Sequence, residues 1–268
     1  MRSTREGPLC PCCRSKDGIR TYRSIRFPAD HVKCEYCGSV YSLVFQQETT
    51  DWVDHGLRHL PARKKIWVQE WDQLSASVQG TRILDLGFAA GDFLMEARGR
   101  GFTEIMGIDV DANAVSSAPE RIGTGSYFCG DFLEIEVPAD HFDLVVMKAV
   151  IQYVDDISGW MEKAMRSLRP GGAVYVTEPN LYDLAKKIRP IVSRKMNVFT
   201  LTGLDNLLRG AGFSVEQLAT RSIFRGPSLG ARISQNLFKQ AVARSIGLLR
   251  LDRMLGGEYE MYALGRKR

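Results

Sequence analysis

Five of the six cysteines lie within the first 37 residues, and four of them form two C-x2-C pairs, Cys10/Cys13 and Cys34/Cys37. The 20 residues Arg14 to Lys33 separate the pairs. Two thiolates at i and i+3 on a tight turn grip an ion from one side. A second such turn completes a closed tetrahedron, the arrangement of a structural zinc ribbon rather than of a catalytic zinc site. Gly38 follows the second pair, where a knuckle turn needs a positive φ. The alternatives are two disulfides or free buried thiols; nothing in the sequence points to an oxidising compartment, which favours zinc. Cys12 is surplus to the four ligands, and Cys129, far from the others, is expected to be a small buried apolar residue.

A second stretch with chemical potential is ILDLGFAAGDFL, residues 83–94. It has the form of a buried strand, a loop carrying Gly87 and Gly91, and the start of a helix. Such a loop can pass under a nucleotide-like cofactor, but Ala89 stands where a dinucleotide fingerprint carries its middle glycine. Asp109 ends the next expected strand, 22 positions after Gly87, where an acid can accept both hydroxyls of a ribose. Among the other candidates, His55 and His59 have the i, i+4 spacing of a metal pair. With no further ligand nearby they read better as surface or cap residues. His141, in ADHFD, reads as a surface residue.

The elements that would position these residues follow from hydrophobic periodicity. Ile66, Trp67, Trp71 and Leu74 fall near helical spacing in a linking helix that packs on the main domain. YSLVF after Gly38 alternates as a strand. From residue 81 strands and helices alternate: TRILDLG, GDFLMEARGRG, TEIMGIDVD, ANAVSSAPERI, GSYFCGD, FDLVVMKAV, DDISGWMEKAMRSLRPGG, GAVYVTEPN, LTGLDNLLRGAGF, SVEQLA and a final strand YEMYALGRK. The helix from Asp155 is expected to close at Pro170 and the two glycines after it. Alternation of this length predicts a parallel sheet with helices on both faces. Its ligands belong beyond the carboxyl ends of the strands, near the point where strand order reverses.

Composition narrows the function classes without choosing among them. With 44% hydrophobic and 25% charged residues the chain is an ordinary globular protein. No apolar run follows MRSTREGPLC, so no signal peptide is expected, and stretches such as DLVVMKAVI are too short to span a bilayer. A cytoplasmic location is expected. The net charge of +5 suits an anionic substrate, a nucleic acid or an anionic membrane surface and selects none of them.

The succession of Asp85, Gly87 and Gly91 in the first loop, Asp109 ending the second strand, Asp131 in CGDF, then FDLVVMKAVIQYV, LRPGGAVYVTEPN and LLRGAGFSVEQL resembles the class I S-adenosylmethionine-dependent methyltransferases. The resemblance covers about residues 65 to 220, with the terminal strand near 258 to 266. It implies an α/β fold with a Rossmann-like seven-stranded methyltransferase sheet, last strand antiparallel, joined here to the small N-terminal zinc ribbon. The division expected is 1–50 zinc ribbon, 51–80 linking helix and 81–268 methyltransferase domain, with basic helical inserts at about 181–199 and 221–256. Roles follow by resemblance. The loop Gly87, Phe88, Ala89 to Gly91 passes under the methionine part of S-adenosylmethionine, and Asp85 organises that loop. Asp109 holds the ribose, Asp131 accepts from the adenine amino group, and Val110 or Phe132 lies against the ring. S-adenosylmethionine has no pyrophosphate to approach, so a methyl side chain at Ala89 is tolerable.

The acceptor side should follow the fourth and fifth strands, where Lys148, Gln152, Tyr153, Glu178 and Asn180 stand. Tyr153, Lys148 and Glu178 are the catalytic candidates, with Lys148 also a candidate cofactor contact. Relatives often show LEH where this chain has IQY at 151–153, which weakens any histidine-base mechanism. A base is needed for a hydroxyl or acidic-carbon acceptor and less so for an amine.

The segment 229–255 fits a long basic amphipathic helix, suited to an anionic membrane surface, a lipid-linked substrate or a homodimer contact; packing on its own domain is the plainer reading. With the basic stretch 184–199 it could cover an anionic acceptor. The leading expectation is methyl transfer to a small molecule: a sugar, nucleotide-linked sugar or lipid-linked saccharide. The alternatives are an RNA methyltransferase, such as a ribosomal RNA enzyme that uses the ribbon for recognition, and a non-catalytic binding protein that keeps the fold.

Overall fold

The computed structural model describes residues 9–22, 31–43, 67–180, 197–221 and 260–268. The expected helix over 229–255, the basic stretch 184–196, His55, His59, Ile66, the end of YSLVF and the domain boundary at residue 50 lie outside the described residues.

Two sheets organise the chain. The larger has seven strands in the order β10-β11-β8-β7-β4-β5-β6. Its first half is β4 (Arg82–Leu86), α2 (Asp92–Gly99), β5 (Glu104–Asp109), α3 (Ala112–Arg121) and β6 (Ser126–Cys129). Its second half is β7 (Phe142–Lys148), α4 (Ile157–Ser167), β8 (Leu168–Pro179), α5 (Leu201–Gly210), β10 (Ser214–Arg221) and β11 (Glu260–Arg266). Strands β6, β5, β4, β7 and β8 run parallel; β11 is antiparallel to both β8 and β10. In β7, six successive residues are buried, as expected of a strand covered on both faces. The chain steps outward from β4 to β6 and returns on the other side of β4 as β7. Strand order therefore reverses between β4 and β7, which is where sheets of this kind form a crevice at their carboxyl ends.

The linking helix is present as α1, residues 67–75. Trp71 stacks on Phe93 of α2 (centroids 4.7 Å apart) and tilts against Phe102 at 5.4 Å, which fixes α1 to the main sheet's helical layer. Helix starts follow side-chain capping: Asp111 accepts from Asn113 N–H at 2.9 Å, Asp156 from Gly159 N–H at 2.9 Å and Thr200 from Gly203 N–H at 3.0 Å. Each satisfies a donor that the helix leaves unpaired.

The smaller sheet is the ribbon. β1 (Ile19–Thr21), β2 (His31–Cys34) and β3 (Val40–Ser42) form an antiparallel meander. A fourth strand, β9 (Asn197–Val198), pairs with β3. The basic stretch that the sequence set apart as an insert thus ends as a strand of the ribbon's sheet. The ribbon also shares one apolar cluster with the main domain, joining Cys10, Cys37 and Tyr41 to Phe199, Leu204 and Leu207.

Two expectations need correction. Helix α4 does not close at Pro170 and its glycines: β8 already begins at Leu168, which pairs with Phe142. Gly171 N–H donates to Lys267 C=O and Lys267 N–H to Gly172 C=O, both at 2.9 Å, so the glycines continue a ladder instead of turning away. Cys129 is exposed, because β6 is the edge strand and shows most of its residues to solvent. His141 lies at the surface, as expected, bonded to the exposed Glu104 carboxylate and packed edge-on to Phe142 at 4.9 Å.

Candidate cofactor and metal sites

The loop after β4 crosses the crevice. Gly87, Ala89 and Gly91 all have positive φ, at 73°, 48° and 75°. Ala89 therefore occupies the left-handed region that glycine favours, at a cost on the order of 1 kcal/mol. Its N–H donates to Asp109 Oδ2 at 2.7 Å, an offsetting charge-assisted bond. The glycines serve chain-on-chain packing. A Cβ on Gly87 would lie 2.6 Å from Val150 in the loop after β7, and one on Gly91 would lie 2.3 Å from Ile122. Phe88 is buried against Tyr127 at 5.8 Å and fills the space that Gly107 leaves open.

Three acids mark the carboxyl ends of adjacent strands. Asp85 is buried; no described group hydrogen-bonds its Oδ1. Burial pushes its carboxyl up to about 7; Lys148 pulls it down and Asp109 adds to the rise. Asp109 ends β5, with Oδ2 on Ala89 N–H and Oδ1 on Asp111 N–H at 2.9 Å. Burial raises its carboxyl too, against these backbone bonds. Asp131 is exposed, and its Oδ1 accepts from Leu133 N–H at 2.8 Å and Trp160 Nε1–H at 3.2 Å. Gly130 N–H donates to Asp109 C=O at 3.0 Å, tying the second and third acidic loops together.

The apolar candidates separate. Val110 is 57% exposed beside Asp109, whereas Phe132 is fully buried and meets Trp160 edge-on at 5.4 Å. Phe132 is therefore a core residue, and Val110 is the apolar side chain available to a ligand.

The acceptor-side candidates separate as well. Lys148 turns to the Glu70 carboxylate of α1 and lies 4.8 Å from the Phe93 ring centroid. Glu70 also pairs with Arg221, which reaches Glu260 at 2.6 Å and the Tyr175 hydroxyl at 2.9 Å. Sequence reasoning missed this buried network. Its members come from α1, β7, β8, β10 and β11 and share no local spacing. Lys148 is thus engaged in an ion pair, and Glu178 is completely buried. Tyr153 ends a 3-10 turn, Ile151–Tyr153, and is half-buried; Gln152 and Asn180 are buried. Gln152 Nε2 donates to Ala149 C=O at 2.6 Å.

In the ribbon, Sγ atoms of Cys10, Cys13, Cys34 and Cys37 lie within 4.8 Å of one another. Cys10–Cys37 are 3.6 Å apart and Cys13–Cys34 3.5 Å. Four thiolates on one zinc, with Zn–S of about 2.3 Å, stand about 3.8 Å apart, so the donor set fits a closed tetrahedral site. Each knuckle is closed by a backbone bond of 2.8 Å, Arg14 N–H to Cys10 C=O and Gly38 N–H to Cys34 C=O, on residues with φ of 57° and 74°. All the described cysteines are free of disulfides. Hydrogen bonds from Cys10 and Cys12 hold the Cys37 thiol well below its usual range.

The ribbon is fastened to the crevice side of the large sheet. Asn197 Nδ2 donates to Ile151 C=O at 3.2 Å and Val154 C=O at 2.7 Å, on both sides of the turn carrying Tyr153. The Thr200 hydroxyl donates to Cys37 C=O, and Thr200 N–H donates to Ser39 Oγ at 3.4 Å.

A sheet of this order with a glycine loop and acids at its crevice is the fold of the S-adenosylmethionine-dependent methyltransferases. The comparisons agree: the family described as "Methyltransferase domain" matches residues 57–218, and the chain belongs to it. It is 27% identical over 207 residues to a "Probable S-adenosylmethionine-dependent methyltransferase" of Mycolicibacterium smegmatis, covering 71% of this chain and 77% of that protein. It is 29% identical over 107 residues to a ubiquinone biosynthesis O-methyltransferase of Bradyrhizobium sp., covering 38% of this chain and 42% of that one. Among solved structures, a Haloferax volcanii methyltransferase complexed with the Trm112 methyltransferase activator superposes with a TM-score of 0.58 at 19% identity, covering 82% and 99% of the two chains. Among the described residues, no helix is long and apolar enough to cross a membrane.

Proposed function

We propose that the enzyme methylates a small-molecule acceptor of the sugar, nucleotide-linked sugar or lipid-linked saccharide class, held between the loops after β7 and β8 and the ribbon. One observation carries this reading: the Asn197 and Thr200 bonds that fasten the ribbon beside the turn bearing Tyr153. A ribbon stitched there by side chain and strand is held beside the acceptor-side turn; an RNA-recognition module would be better served by a ribbon that projects away. When bound, S-adenosylmethionine supplies a methyl group already activated by its sulfonium, so the protein's part is chiefly alignment.

The residues fit the cofactor's chemistry. A buried Asp85 carboxylate with an oxygen lacking a described donor suits a cationic ligand group, such as the methionine ammonium. Asp109, braced through backbone N–H groups, keeps further lone pairs for ribose hydroxyls. Asp131 serves the adenine amine and Val110 one face of the ring. Of the three catalytic candidates Tyr153 stays at the acceptor side, while Lys148 and Glu178 support the crevice from within. The four cysteines hold structural zinc; Cys10, Cys13, Cys34 and Cys37 supply all four ligands and leave no open position. The chain works in the cytoplasm.

Transfer of labelled methyl from S-adenosylmethionine into fractionated cell extract tests the reading. Label should appear in saccharide-bearing small molecules or lipids. Label confined to RNA, with salt-sensitive RNA binding, would replace it with the RNA-modifying alternative. Metal analysis of the purified protein against Cys34→Ser tests the zinc: about one zinc per chain is expected, and none in carefully prepared wild type would remove it.

A further inference from the structure

The loop after β6 is held from one helix in an unusual manner. Lys163 of α4 directs its ammonium at three carbonyl oxygens of that loop, Phe132 at 2.6 Å, Leu133 at 2.9 Å and Ile135 at 2.6 Å. An ammonium has three N–H donors, and all three are used on one turn. Carbonyl oxygens that converge on a point repel one another unless a cation sits among them. The Lys163 ammonium offsets that repulsion and helps hold the loop's curvature. One turn earlier on the same helix, the Trp160 indole N–H reaches Asp131 Oδ1 at 3.2 Å, and its ring packs edge-on to Phe132.

The consequence is an asymmetric carboxylate. Asp131 Oδ1 accepts from both Leu133 N–H and Trp160 Nε1–H, whereas no described residue donates to Oδ2. With Oδ1 pinned at two points the carboxylate plane is fixed, and Oδ2 is the acceptor left for a ligand. A mere loop anchor would need neither the second donor nor an exposed second oxygen. We propose that Trp160 and Lys163 are positioning residues that set Asp131 Oδ2 to read the exocyclic amine of the cofactor's adenine. The proposal rests on the reading that Asp131 meets that amine.

The readout is selectivity. S-inosylhomocysteine carries a carbonyl oxygen where S-adenosylhomocysteine carries the amine, so a fixed carboxylate acceptor rejects it. Calorimetric titration of the full chain should show wild type preferring the adenosyl ligand by on the order of tenfold to a hundredfold. Asp131→Ala should abolish the preference. Trp160→Phe, which keeps the ring and loses only the N–H, should reduce it by about threefold to tenfold. Lys163→Met, which keeps the chain length and loses the three bonds, should do the same. Adding either change to Asp131→Ala should alter the ratio no further.

Two failures are distinct. If wild type shows no preference, or Asp131→Ala retains it, the adenine reading of Asp131 falls and the proposal with it. If Asp131→Ala abolishes the preference while Trp160→Phe and Lys163→Met keep the wild-type ratio, even with both ligands weakened, then the two residues only brace the loop.

Discussion

The two halves of the crevice are built differently. On the cofactor half, after β4, β5 and β6, the acids are set mainly by backbone N–H groups of their own and adjacent loops, Asp109 by Ala89 and Asp111 and Asp131 by Leu133, with the Trp160 indole of α4 adding a second bond to Asp131. On the acceptor half, the side chains are set by partners from far along the chain. Asn197 reaches Ile151 and Val154, Thr200 reaches Cys37, and Lys148 meets Glu70. The first half can hold a constant ligand in a frame built largely of backbone groups within the main sheet's own loops. The second depends on how distant elements, including the ribbon, come together, and is free to vary with the acceptor.

If the cofactor half is a self-contained frame, damage to it should be severe and confined to the cofactor. Asp109→Ala removes the brace on Ala89 together with the ribose acceptor. It should weaken S-adenosylmethionine binding on the order of a hundredfold, with acceptor KM, measured at saturating cofactor, nearly unchanged. The long-range half should respond in stability. Glu70→Gln leaves the buried Lys148 without its counter-charge and Arg221 with Glu260 alone, and should cost about 3 kcal/mol, read by urea unfolding. A wild-type midpoint would mean the network does not hold α1 to the sheet.

A subtler contrast comes from pH. The Asp85 carboxyl, about 7 in the fold against an ordinary 3.8, binds more protons folded than unfolded between those values. Its ionisation therefore destabilises the unliganded protein increasingly as pH rises through that window, and not at all below it. Asp85→Asn should match wild-type stability near pH 4 and exceed it at pH 8, while weakening cofactor binding. An equal difference at both pH values would show that Asp85 is not the titrating group. The smallest effect belongs to Ala89→Gly. Relief of the positive φ should change stability by no more than about 1 kcal/mol, in the favourable direction, and leave cofactor affinity unaltered.

The same contrast explains what could be read from the sequence. The succession of strands and helices, the acids at β4 and β5 and the C-x2-C pairs are legible because periodicity and spacing encode them within a few residues; the seven-stranded sheet with its antiparallel last strand is what the resemblance implies. The pairing of β9 with β3 joins residues more than 150 positions apart, and neither partner carries a mark of it. Glu70 looked like any polar position of an amphipathic helix. The resemblance offers Val110 or Phe132 against the adenine, and Trp160 and Lys163 of α4 draw Phe132 into the core. Cys129 was expected inside because cysteines usually are; being on an edge strand decided otherwise.

Calorimetric titration with S-adenosylmethionine, run side by side on wild type, Cys34→Ser and Asp109→Ala, tests the division of the crevice most directly. The account predicts single-site binding to wild type, an affinity within about threefold of it for Cys34→Ser despite the loss of a metal ligand, and near loss of binding for Asp109→Ala. Absence of binding to wild type, or a loss in Cys34→Ser as large as that in Asp109→Ala, would contradict it.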